Sequence, residues 1–208
     1  NQLDVNDSLN TVIFIHRNDP TLTPGTNVAQ YRFDISKNKG ANWTTDLGPF
    51  TNDPLINNID VNGRFPQAVI FNPAGNTIAD SAYMVYSGTW HNSPPSGNSG
   101  SWMGHMKGRG KLTGDTSTFN VEYPPLNGGN PVTIGAGFTQ GEPGVFWNVN
   151  TDYTGTFATG SNAITKGVII EKGVWDANTK NVNWSHITIP QTFTEIDNSG
   201  TLQSLATV

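Results

Sequence analysis

The sequence predicts an all-β fold, and three observations carry the prediction. No stretch of a dozen residues places apolar side chains at the i, i+3, i+4, i+7 spacing of a helix. Short runs of apolar, β-branched and aromatic residues recur instead, about every ten residues. Between them lie turn formers: the 208 residues include 23 Gly and 13 Pro, while only 13% are charged. Solubility therefore rests on Asn, Thr, Ser and Gly, as in chains of many short strands joined by turns.

The first expected strand is "NTVIFIHR" at 10–17, where Val12, Phe14 and His16 alternate with Ile13, Ile15 and Arg17. "NVAQYRFDIS" at 27–36 follows, then "FPQAVIFN" at 65–72, "SAYMVYSGTW" at 81–90 and "SWMGHMKGRGKL" at 101–112. "FNVEYP" at 119–124, "VTIGAGFTQ" at 132–140 and "GVFWNV" at 144–149 continue the series. The last pair is "KGVIIEKGVW" at 166–175 with "NVNWSHITIP" at 181–190. Two polar links, 91–101 and 124–131, read as surface loops rather than interdomain linkers, because strands resume directly on both sides. The chain opens in polar residues, and its closing segment "TFTEIDNSGTLQSLATV" shows no clear strand pattern.

Charge and composition exclude several functions. The net charge is −5 and the 11 basic residues are scattered singly, which argues against a nucleic-acid surface and against an anionic membrane. No window approaches the 18 or so consecutive apolar residues of a membrane-spanning helix. Cysteine is absent, so there are no disulfides or thiolate metal sites. His16, His91, His105 and His186 form neither a H-E-x-x-H motif nor a close pair, and no metal or other cofactor is expected. No G-x-S-x-G elbow appears. "DANTKN" at 176–181 carries a single carboxylate, too few for a calcium cage.

One corner stands out: Ser36-Lys37-Asn38-Lys39-Gly40-Ala41-Asn42-Trp43. Asn38 can fold its side-chain oxygen onto following backbone N–H groups. Gly40 supplies a positive φ where a tight hairpin reverses. Trp43 is expected to re-enter the sheet as a buried apolar plug, its indole N–H on a backbone carbonyl. The corner resembles the Asp-box, S-x-D-x-G-x-x-W, of sialidase-like β-propellers (the BNR repeat), with Ser36, Asn38, Gly40 and Trp43 in its four places and the Asp replaced by its amide. A weaker echo runs from Ala177 to Trp184, with Asn181 at the glycine place as a residue that tolerates the left-handed region. The two tryptophans lie 141 residues apart, which divides into three intervals of about 47, the size of a propeller blade. The resemblance implies a β-propeller of four-stranded antiparallel blades, with residues 1–208 as a single propeller-like region and part of a longer chain. A β-sandwich is the alternative.

A second resemblance covers residues 62–90. Arg64, Phe65, Pro66, Asn72, Pro73, Gly75, Asn76, Thr77, Tyr83, Val85, Tyr86 and Gly88 match the blade of large secreted propeller proteins exported by the type IX secretion system of Bacteroidota. It implies a secreted or cell-surface location. In that context the triplets Asp7-Ser8-Leu9 and Asp80-Ser81-Ala82 resemble O-glycosylation acceptors at Ser8 and Ser81.

Sialidases of this fold clamp the sugar carboxylate with three arginines and use a Tyr–Glu pair with a further acid. The arginines here are Arg17, Arg32, Arg64 and Arg109. Only Arg64-Phe65-Pro66 has a partial likeness to the family's Arg-Ile-Pro element, and no catalytic residue is assigned. The expected function is a non-enzymatic structural or adhesive module, binding a glycan or a surface protein. Part of a sialidase-type glycoside hydrolase, with catalytic residues partly outside this chain, is the alternative. The candidate ligand-binding residues are Arg64 and the loop-flanking Trp90, Trp102 and Trp147; for each tryptophan, burial between sheets is the competing expectation.

Overall fold

The computed structural model describes residues 2–18, 21, 30–51, 61–92, 101–122, 137–154, 164–190, 194–196 and 202–204. They form strands and short 3-10 turns, and none of their helices is long and apolar enough to cross a membrane. Strands β1 (Gln2–Asn6), β2 (Thr11–Arg17), β3 (Tyr31–Ser36) and β4 (Thr44–Leu47) make a first sheet. A second holds β5 (Val61–Phe71), β6 (Tyr83–Asn92), β7 (Ser101–Lys111) and β8 (Asn120–Glu122). The third holds β9 (Gly137–Gln140), β10 (Val145–Thr154), β11 (Ile164–Asp176) and β12 (Asn181–Pro190). Each is an antiparallel meander in which every strand pairs with its chain neighbours. A small hairpin of β13 (Thr194–Ile196) and β14 (Leu202–Ser204) follows.

Every run read as a strand contains one, and the fold is all-β as expected. The structure adds β1, β4, β13 and β14. β1 escapes notice because three of its five residues are polar, and the reason lies outside the strand. Gln2 Oε1 accepts a hydrogen bond from the Ala68 N–H (3.0 Å), and Asp4 Oδ2 accepts from the Ile70 N–H (2.6 Å). The polar side chains of β1 thus satisfy backbone donors of β5 in the neighbouring sheet. Burial raises the pKa of Asp4, with the N–H bonds from Ile70 and Val5 opposing it.

The three sheets stack in chain order, and the middle one is covered on both sides. β1 and β2 pack on β5, and β5 packs on β9. Successive residues of a strand point to opposite faces. So Ala68, Ile70, Met84, Tyr86 and Met106 join a core with Ile13, Ile15, Tyr31, Phe33 and Ile35 of the first sheet. Val69, Phe71, Tyr83 and Val85 point the other way, into a second core with Phe138, Phe146 and Val182. A strand apolar on both faces reads as a continuous run, and "AVIF" at 68–71 is one.

Tyr31 is the pin of the first interface. It is fully buried, and its hydroxyl sits 2.7 Å from the Arg64 carbonyl and 3.2 Å from that of Thr89, one proton serving two acceptors on two strands. Gly63 and Gly88 make room for it: a Cβ at either would stand 2.3 or 2.0 Å from the ring or its hydroxyl.

The 47-residue interval does not survive. The two Asp-box-like corners join β3 to β4 in the first sheet and β11 to β12 in the third, so 141 residues span two sheet-to-sheet steps of about 70 each. Strands of 10 to 13 residues in the second and third sheets account for the longer repeat. The left-handed residue of the second corner is Lys180 (φ 55°) rather than Asn181, which already begins β12. The link at 91–101 begins and ends in strand at 91–92 and 101; its middle and the link at 124–131 lie outside the described residues.

Gly88→Ala is expected to cost about 2 kcal/mol through overpacking against Tyr31, and Tyr31→Phe about 1 kcal/mol through the stranded carbonyls. Urea unfolding at 25 °C measures both; a Gly88→Ala variant as stable as the parent would contradict the packing described.

Candidate functional site

A buried group of ionisable side chains lies between the second and third sheets, where the apolar alternation breaks. On β6 the inward series Tyr83, Val85 continues as Ser87, paired across the ladder with Lys107 of β7. On β10 the inward series runs Phe146, Asn148, Asn150, with Glu171 of β11 opposite Asn148. His105, two residues before Lys107, completes the group.

The side chains of the group bond one another. Lys107 is 1% exposed and its Nζ bonds Glu171 Oε1. Its ammonium also lies 4.5 Å from the ring centre of Trp184. Glu171 Oε2 accepts from Asn148 Nδ2 (2.6 Å) and Asn150 Nδ2 (3.0 Å). Both amides also reach His105 Nδ1, at 3.3 and 2.8 Å. That nitrogen is 3.7 Å from Glu171 Oε2. Burial alone would raise the pKa of the Glu171 carboxyl, but the His105 ring and the Lys107 ammonium pull it from 4.5 to about 2. Burial lowers the pKa of Lys107 and the Glu171 charge opposes that. Glu171 therefore has no proton to deliver at neutral pH, and Lys107 is engaged on both sides. This arrangement ties two sheets together and is poorly suited to acid–base turnover.

Arg109 continues the tie, its guanidinium donating to the carbonyls of Thr118 and Lys180. Asn181 Nδ2 donates to Glu122 Oε1 (2.8 Å), and Asn120 Nδ2 to Asn181 Oδ1 (3.0 Å). Sequence reasoning missed this cluster because its members are far apart in the chain, Lys107 and Glu171 by 64 residues. The available signal was a polar residue at an inward position of an apolar strand, as in Asn148 and Asn150.

The corner from Ser36 to Trp43 forms a tight network of local bonds. The buried Ser36 hydroxyl accepts from the Gly40 N–H (2.9 Å) and lies 3.0 Å from Asn38 Oδ1, which accepts from the Asn42 N–H (2.8 Å). Lys39 and Gly40 both have positive φ, 59° and 87°. The Trp43 indole N–H donates to the Gly40 carbonyl at 3.0 Å. The ring is not the expected buried plug, however: Trp43 is 41% exposed. β4 begins only at Thr44, at the edge of the first sheet, where no further strand among the described residues pairs with it. Lys37 bonds Asp80 and Lys39 faces Asp7 at 3.8 Å, which fastens the corner to two neighbouring turns. Ser8 and Ser81, next to those aspartates, are exposed.

The remaining candidates are dispersed. Arg64 is half-buried at a bulge between β5 and β6, next to Phe65 at φ 52°. Trp90 is 8% exposed within the first core, so its ring faces protein. Trp147 is half-buried on the face of β10 that points away from the second sheet, with Lys172 Nζ 5.4 Å from its ring centre. The Trp102 side chain lies outside the described ones. Comparison with protein-family models, curated proteins and solved structures yields no match.

Glu171→Gln is expected to cost about 3–5 kcal/mol by leaving Lys107 buried and unpaired, and Lys107→Met with Glu171→Leu to recover at least about 2 kcal/mol of it. A carboxyl held below its ordinary value contributes stability that is complete above about pH 4.5 and is lost as pH falls toward about 2. Thermal midpoints of the parent should fall across that window, and those of Glu171→Gln should fall less steeply. Parallel curves would contradict the assignment.

Proposed function

We propose that the chain is a non-enzymatic module of a secreted or cell-surface Asp-box β-propeller, with a structural or adhesive role and binding a glycan or a protein partner. The carrying observation is the stacking of four-stranded antiparallel meanders in chain order, first strand against first strand. Propeller blades are built and arranged this way. The outer faces support continuation of the stack: Leu3 and Val5 on one side, and Val174, Ile187 and Ile189 on the other, are exposed apolar side chains. A non-catalytic role is supported by the ionisable groups. Arg32 is bound to Asp46, Arg109 to backbone carbonyls, and Lys107 to Glu171.

A second reading, a piece of a sialidase-type glycoside hydrolase, is favoured by one observation. Arg17 and Arg64 stand close enough that, after burial, the charge of Arg64 is the next cause lowering the pKa of Arg17. Two guanidinium groups from adjacent sheets could hold a carboxylate.

A fluorogenic sialoside offered to the natural full-length protein separates the two, with no turnover expected. Hydrolysis that disappears in Arg64→Ala would sink the non-enzymatic reading. Electron micrographs of the same protein should show a closed ring of sheets, and an open stack would remove the propeller.

A further inference from the structure

The exposed corner of the first sheet carries an inference that its internal bonding does not require. Trp43 borders a depression of about 260 Å³ whose other lining residues are Ile35, Lys37, Asn38, Asn42 and Thr44. Ligand pockets combine apolar or aromatic walls with a few placed polar groups, and drug-sized ones begin at about 300 Å³. This one is the size of a single small ring.

Each wall has a defined chemical state. The indole is immobilised by its N–H bond to the Gly40 carbonyl, so offering its surface to a ligand costs little side-chain entropy. Asn38 spends its Oδ1 on Ser36 and the Asn42 N–H, which leaves its Nδ2 as the remaining donor. Asn42 uses only its backbone N–H in the corner, and its exposed side-chain amide supplies both a donor and an acceptor. The Thr44 hydroxyl adds one of each. Lys37 is neutralised by Asp80, so the depression carries no unpaired cation to select an anion. An aromatic floor ringed by neutral amides and a hydroxyl matches a ligand with an apolar C–H face and a rim of hydroxyls. We propose that the Trp43 depression binds one pyranose ring of a neutral, β-linked glycan, stacked on the indole with its hydroxyls on Asn38, Asn42 and Thr44. All-equatorial substitution gives such a ring the flat C–H face that stacking needs.

The inference deepens the glycan-binding part of the reading above and rests on it, and the test keeps the two apart. The chain holds six tryptophans, hence six indole N–H signals in a nitrogen–proton correlation spectrum, with that of Trp43 assigned from Trp43→Phe. Titration of the protein with cellohexaose, and separately with N-acetylchitohexaose, is expected to move the Trp43 signal. Asn42→Ala should weaken that binding about three- to tenfold with an unchanged thermal midpoint, because the Asn42 side chain plays no part in the corner's bonds. Shifts confined to other indoles, such as that of Trp147, overturn the Trp43 site and leave glycan binding standing. No shift at any of the six with either oligosaccharide at millimolar concentration overturns both.

Discussion

The middle sheet has no face to give to water, and much of the arrangement follows from that. β5 and β6 present Ala68, Ile70, Met84 and Tyr86 to one side and Val69, Phe71, Tyr83 and Val85 to the other. Strands with alternate residues apolar on both faces are stable only between two covers. The first and third sheets are those covers, and the glycines facing Tyr31 let the first cover approach closely. The same constraint explains β1. Its Gln2 and Asp4 sit beside a core, yet they are polar because backbone donors of β5 need acceptors there.

The second interface is built differently along its length. One half is apolar, around Phe71, Phe146 and Trp175. The other half holds Lys107, Glu171, His105, Asn148 and Asn150. A buried ion pair is a poor way to add stability, since desolvation offsets most of its attraction. It does penalise wrong registers: a slip of one residue along β10 or β11 turns every inward side chain outward, and would bury Lys107 without a counter-charge. Two sheets whose apolar halves could slide over one another are thus held in one alignment.

How far the sequence could be read depended on the range of the interaction. The strands at 65–72 and 81–90 were legible because their pattern is local and strong. Ser36, Asn38 and Gly40 were legible because the hydrogen bonds of the corner link residues at most four apart. For Trp43 the sequence suggests a buried plug, because large rings are mostly buried. Its exposure depends instead on what lies beside β4, and the corner leaves it at a sheet edge. The Lys107–Glu171 pair was not legible at all, since residues 64 apart announce no partnership.

By itself, then, the sequence determined the all-β class, most of the strands and the turn chemistry of the corner, all set by periodicity and by bonds within a few residues. Tertiary structure alone decided which faces meet, that the corners recur two sheets apart, where the charges are buried and that the Trp43 ring reaches solvent. The physical reason is the two-residue period of a strand: it sorts side chains into two faces but does not say what each face will touch.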